Sequence, residues 1–144
     1  MKGAREMVYF LVTLGGALEK RSSLSMAKGD ELEGYLLDRI GSIAVEALAE
    51  AAETSMREFF AKKGKSLSMR FSPGYCDWPI EEQFKVAKIL DFSKAGVKLN
   101  DKCMMVPKKT ISAACAIGPK GLFSRNGTPC TICTLKECAF RRKQ

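Results

Sequence analysis

The sequence predicts an α+β fold: a mostly antiparallel, twisted sheet packed with one long and several shorter helices, followed by a cysteine-rich tail. Three observations point there. Two apolar, β-rich runs, MVYFLVT (7–13) and TISAACAIG (110–118), lie far apart in the chain. Between them runs one long stretch of helical periodicity. Strands and helices are interspersed without the regular alternation that builds a parallel sheet.

Taken in order, MVYFLVT is a buried strand, and Gly15-Gly16 turn the chain. A short helix is expected from Glu19 to Met26, ended by Gly29. Asp30 stands as an N-cap with Glu33 in capping-box position. The next stretch, from Glu31 to Lys63, is the strongest helix in the chain. Leu32, Leu36, Ile40, Ile43, Ala47, Ala51 and Thr54 recur at spacings of three and four and mark one apolar face. Gly41-Ser42 inside it suggests close approach of another backbone. Gly64 closes the helix. LSMRFS (67–72) alternates as a strand, and SPG turns. Asp77 can cap a further helix carrying Pro79 in its first turn, with Ile80, Phe84, Ala87 and Leu90 on one face. AGVKLND is a loop with short extended pieces, CMMV (103–106) a strand, and TISAACAIG the last strand. Residues 1–118 are therefore expected to form the folded domain and 119–144 a metal-binding-like tail.

The 144 residues suit one domain. No apolar run approaches the ~20 residues of a membrane span, and the first residues lack a convincing cleavage site, so a cytoplasmic protein is expected. The chain has no histidine, which removes the commonest general base, metal ligand and nucleophile partner. Net charge is +8 but uneven: residues 1–60 carry 7 Lys/Arg and 10 Asp/Glu, the rest 17 and 6. A basic half can meet nucleic acid, an anionic cofactor or an acidic protein surface. Its lysines are scattered and the aromatics among them, Phe84 and Phe92, read as core. A solvated surface is the plainer account, and neither a nucleic acid nor a membrane partner is expected.

The six cysteines, without a secretory leader, read as reduced thiols or metal ligands. CTICTLKEC (130–138) spaces Cys130, Cys133 and Cys138 as Cys-x2-Cys-x4-Cys, a soft thiolate set that suits zinc or an iron–sulfur cluster. Cys115 is a candidate fourth ligand, although its apolar strand equally suits a small buried hydrophobe. Cys76 and Cys103 read as packing residues. Arg141, Arg142 and Lys143 offer a basic end that could face an acidic partner.

RFSPGYCDWP (70–79) gathers unusual chemistry around one turn. Arg70 carries a planar fork suited to a carboxylate or phosphate. Gly74 permits close approach to the backbone, and Tyr75 supplies a flat face and a hydroxyl. Two readings stand side by side: a cradle for a small molecule bearing a carboxylate and a flat ring, or a strand-end arginine paired with Glu or Asp before an ordinary turn.

Five segments, VTLGGALE (12–19), LLDRIGSIAVEALAE (36–50), RFSPGYCDWPIEEQ (70–83), GVKLNDKCMMVPKKTISA (96–113) and IGPKG (117–121), resemble in order and spacing the activation domain of cobalamin-dependent methionine synthase. They look closer still to its small free-standing bacterial relatives. The resemblance implies S-adenosylmethionine binding by Arg70, Ser72, Gly74 and Tyr75. It also implies an acidic contact from the long helix, at Thr54 without gaps, with Glu53 and Glu50 nearby. Relative to the family the chain is expected to be short at its N-terminus. The implied role is that of an accessory domain or subunit in reductive reactivation. S-adenosylmethionine would methylate an oxidised corrinoid (cobalamin) carried by a methyltransferase partner, and an electron donor protein would supply the reducing electron. An iron–sulfur cluster in the tail would suit electron delivery, whereas zinc would staple it. A metal-stabilised module that docks on a corrinoid protein without the methyl donor is the alternative.

Overall fold

The computed structural model describes Ala4 and residues 6–123, 129–135 and 138. The elements run β1 (Glu6–Thr13), α1 (Ala17–Ala27), α2 (Glu31–Lys62), β2 (Lys65–Leu67), a 3-10 turn (Ile80–Glu82) leading into α3 (Gln83–Leu90), and a second 3-10 turn (Phe92–Ala95). Then come β3 (Lys98–Leu99), β4 (Met105–Val106), β5 (Thr110–Pro119) and α4 (Pro129–Ile132). β5 is central, flanked by β1 and β2, both antiparallel to it. β3 and β4 form a separate antiparallel pair. The expected α+β class, with antiparallel sheets and one long helix, is the class observed.

Strand alternation divides the core between the two faces of the sheet. Phe10, Ala113, Cys115 and Ile117 face α2 and pack with Leu67 and Ala49. Tyr9 and Leu11 face the other way, toward Val86, Phe92, Val97 and Trp78. Ala113, Ala114 and Ala116 are fully buried. Their small side chains let elements approach β5 closely from both sides.

α2 meets the sheet with a small-residue stripe. Gly34, Gly41, Val45 and Ala49 are buried, and Ala52, Met56 and Phe60 continue the line into the core. The larger stripe marked by periodicity lies on the opposite side: Leu32, Leu36, Ile40 and Ile43 are exposed. The reason is steric. A Cβ at Gly41 would stand 2.9 Å from Leu18 Cδ2 and 3.1 Å from Lys109 Cε, so only a bare backbone fits where α2 crosses α1 and the start of β5. The sequence suggests another backbone close to Gly41-Ser42; the atoms that come close are the side chains of Leu18 and Lys109. Lys109 is buried there and donates to Ser42 Oγ at 2.9 Å and to Asp38 at 2.6 Å.

The Asp30 cap forms as expected, accepting from the Glu33 backbone N–H at 3.0 Å. The Glu33 side chain does not complete the capping box. It turns to α1 and accepts from Ser25 at 2.6 Å and Arg21 at 2.9 Å, and these bonds hold its carboxyl below the usual range. Ser22 also donates to the Gly34 carbonyl, so the α1–α2 seam is polar.

Three local expectations shift. The strand expected over 67–72 pairs regularly only through Leu67, with an isolated bridge at Phe71–Ala114. In between, Arg57 draws the Leu67 and Ser68 carbonyls away from the ladder. Asp77 does not cap α3; the helical path starts at Ile80 behind Pro79, with no side-chain cap. The buried face of α3 carries Gln83 and Val86, while Ile80 and Phe84 are exposed. Gln83 is drawn inward because its amide donates to Ser112 Oγ at 2.6 Å.

Candidate functional site

The 70–79 segment is pinned to β5 before it turns. Phe71 exchanges backbone bonds with Ala114 at 2.9 and 2.8 Å, and Ser72 Oγ donates to the Ser112 carbonyl at 2.7 Å. Through Gln83, Ser112 joins this segment to α3. The turn closes on itself: Tyr75 N–H donates to Ser72 O, Trp78 N–H to Tyr75 O, and Gly74 N–H to Trp78 O at 2.8 Å. Gly74 has φ +91, and a Cβ there would stand 3.2 Å from Ile80 Cδ1. A side chain is therefore disfavoured both by the backbone angle and by the start of the α3 segment. Tyr75 is 47% exposed.

Arg70 links this turn to α2. Its Nη2 donates to Glu46 Oε2 at 2.6 Å. Its Nη1 is buried and has no hydrogen-bond partner among the described residues. A buried unmet donor costs about 1–3 kcal/mol, more so on a charged group, so the site favours an incoming acceptor. Glu46 also lines a shallow cleft of about 460 Å³ with Arg39, Ser42, Ile43, Ala47 and Glu50. One guanidinium nitrogen thus donates to a carboxylate on α2, while the other is a buried donor with no acceptor among the described residues. Of the two readings of this turn, the paired strand-end arginine is the one observed directly, with Glu46 as the partner.

Glu53 has a different direct partner from the one expected of a ligand contact. It accepts from Arg57 Nη2 at 2.7 Å, and Arg57 in turn binds the Leu67 and Ser68 carbonyls. The acidic side chain on α2 that meets Arg70 is Glu46, two turns earlier. The signal was faint in the sequence, since Glu46, Glu50 and Glu53 all recur along α2 and only the approach of Arg70 distinguishes them.

The cysteines separate into two environments. Cys115 is fully buried in β5 among Phe10, Ala49 and Leu67. Burial pushes its thiol up to about 12, with Glu53 adding to the rise and Arg57 and Arg70 opposing it. It belongs to the core, not with the tail cysteines, because its strand position points it under α2. Cys76 is the cysteine that meets the tail. It adopts φ +52 and donates to the Pro129 carbonyl at 3.8 Å. Its thiol is pushed up to about 11 by burial, then by hydrogen bonding and charge from Cys133, with Asp77 and Cys130 contributing. Cys76 had read only as a packing residue, yet it brings the turn and α4 together. Cys138 is exposed. Among the described residues, no three or more Cys, Asp or Glu side chains stand together as a metal ion requires. Cys115 thus lies in the core cluster beneath α2, and a zinc ion or iron–sulfur cluster at Cys115, Cys130, Cys133 and Cys138 stays a reading of their spacing in the sequence. Arg141, Arg142 and Lys143 lie outside the described residues.

The antiparallel sheet thus lies between α2 on one face and the α3 segment on the other. A sequence model of the family described as vitamin B12 dependent methionine synthase, activation domain, matches residues 2–123. The match spans most of the chain and includes the 70–79 turn, and the chain belongs to that family. It ends before the CTICTLKEC segment. No curated protein matches the sequence. Membership carries a cobalamin context and a role in reactivation. Among the described residues no helix is long and apolar enough to cross a membrane.

Proposed function

We propose that the chain binds S-adenosylmethionine at the 70–75 turn and supports reductive methylation of an oxidised corrinoid held by a methyltransferase partner. The observation that carries this reading is the buried Arg70 Nη1 without an acceptor among the described residues, set beside the exposed Tyr75 in a chain of the activation-domain family. When bound, S-adenosylmethionine supplies a sulfonium methyl for the partner's corrinoid once a donor protein has supplied an electron. This chain's residues do the positioning. Arg70 Nη1 takes a carboxylate oxygen, and Glu46 keeps the guanidinium plane oriented. Gly74 lets the ligand lie close to backbone, and Ser72 fixes the turn on β5. Tyr75 offers its ring as one wall. Orientation of this kind is what accelerates a transfer between two bound groups, and it requires no general base.

The test is thermal unfolding of the full chain with S-adenosylmethionine. A ligand at about 100 times its Kd stabilises by about 2.7 kcal/mol, a clear upward move in Tm. Arg70→Ala should abolish the move. Arg70→Lys, which keeps charge but loses the fork, should reduce it. Tyr75→Ala, at an exposed position, should weaken it without lowering the unliganded Tm. No response from the wild-type chain, even with the corrinoid partner present, would overturn the reading. Partner capture with no ligand effect would instead favour a docking module.

A further inference from the structure

α2 carries a second apolar stripe that nothing in the described chain covers. Leu32, Leu36, Ile40 and Ile43 are exposed, Leu32 by 69% and Ile43 by 65%. They continue into Ala47, Ala51 and Thr54, also exposed. The stripe runs from Leu32 to Thr54, about 33 Å of helix. Its bulk is graded, with large side chains in the first half and small ones in the second. Arg39 and Glu46 flank it seven residues apart, on one side of the seam.

We infer that this face joins two copies of the chain, α2 against α2, antiparallel about a two-fold axis near Ile43. An antiparallel pairing about that axis sets Ile40 against Ala47 of the second copy, Leu36 against Ala51, and Leu32 against Thr54, so large side chains meet small ones throughout. Arg39 of each copy then faces Glu46 of the other, whose Oε2 already accepts from Arg70, giving two opposite-charge contacts from one sequence. A parallel pairing would set Leu36 on Leu36 and Ala51 on Ala51, large against large and small against small. An isologous interface requires one patch complementary to itself, and this stripe has that property in both size and charge. The cleft at Arg39, Ile43, Glu46 and Ala47 lies at the middle of the stripe, where the second copy's Ile40 would seat. The inference rests on α2 alone and does not need the methyl-donor reading.

Sedimentation equilibrium of the full chain tests it. The expected mass is twice the 15.8 kDa of the monomer. Ile43→Glu, placed at an exposed position, should leave the circular dichroism unchanged and weaken self-association by about tenfold or more; Arg39→Glu should weaken it less. Ile43→Cys, on the axis, should cross-link to itself under mild oxidation beyond the wild-type background, and Leu32→Cys should not. A monomer at every soluble concentration, or a dimer indifferent to Ile43→Glu, overturns the inference. Cross-linking through Leu32→Cys instead of Ile43→Cys overturns the antiparallel geometry. A monomeric chain whose corrinoid-protein binding is lost in Ile43→Glu assigns the stripe to that partner and also overturns it.

Discussion

Two arginines join α2 to the chain that follows it, Arg57 from within α2 and Arg70 from beyond β2, and their donors are used differently. Arg57 pairs with Glu53 and donates to two backbone carbonyls, Leu67 O and Ser68 O. Arg70 pairs with Glu46 and leaves Nη1 buried without a partner among the described residues. Both guanidinium groups are mostly buried, at 16% and 18% exposure, so burial does not distinguish them. Satisfaction of donors does. A fully satisfied arginine is a staple, because every donor it brings out of water finds an acceptor. A partly satisfied one costs stability, and the proposed ligand reading rests on that unmet donor.

Breaking the staple should have the largest effect on the fold. Arg57→Ala strands the Leu67 and Ser68 carbonyls and leaves Glu53 alone, so unfolding in urea should show a loss of about 3 kcal/mol, with any ligand response preserved. Gly74→Ala acts on the other arginine's turn. With φ +91 and Ile80 at 3.2 Å, it should cost about 1–2 kcal/mol and weaken ligand binding as well, measured by the same titration with and without S-adenosylmethionine. A third change probes Cys115, which lies beneath both arginines. Its thiol rises from an ordinary 9.0 to about 12, so the unfolded chain loses that proton first as the solution turns alkaline. The associated stability is fully present below pH 9 and declines as pH rises through 9 to 12, by about 1 kcal/mol at pH 10. Urea midpoints at pH 8 and pH 10 should separate in the wild type and draw closer in Cys115→Ala. The smallest effect on stability is expected from Arg70→Ala. Glu46 is half exposed and stays hydrated, and the unmet Nη1 disappears with the side chain, so the change should be under about 1 kcal/mol. Equal losses from Arg57→Ala and Arg70→Ala would erase the contrast between staple and site.

The sequence read well where a single pattern carried the information. β5 is covered on both faces, as its continuous apolar run says, whereas β1, expected to be buried, is an edge strand that buries only Phe10. Asp30 caps α2 because its side chain reaches a neighbouring N–H without help from the rest of the fold. Arg70, Gly74 and Tyr75 stood out because their residue types are rare together in one turn. Reading failed where two patterns competed. α3 offered Phe84 as a core residue, and the fold instead buries Gln83, whose amide has a partner in Ser112. Cys115 shared a residue type with the tail cysteines, yet β5 places it in the core; Cys76, which had looked like packing, meets the tail.

By itself the sequence determined the class of fold, the length of α2, the central strand and the turn on which function is proposed. Those follow from local periodicity, capping and turn chemistry, which act over a few residues. Only the tertiary structure decided which face of α2 is inside, which acidic residue meets Arg70, and which cysteine meets the tail. α2 carries two apolar stripes, and hydrophobicity alone favours the larger. The bare backbone at Gly34 and Gly41 fits where a leucine would collide. Steric fit between elements far apart in the chain sets that choice, and it left the larger stripe outside.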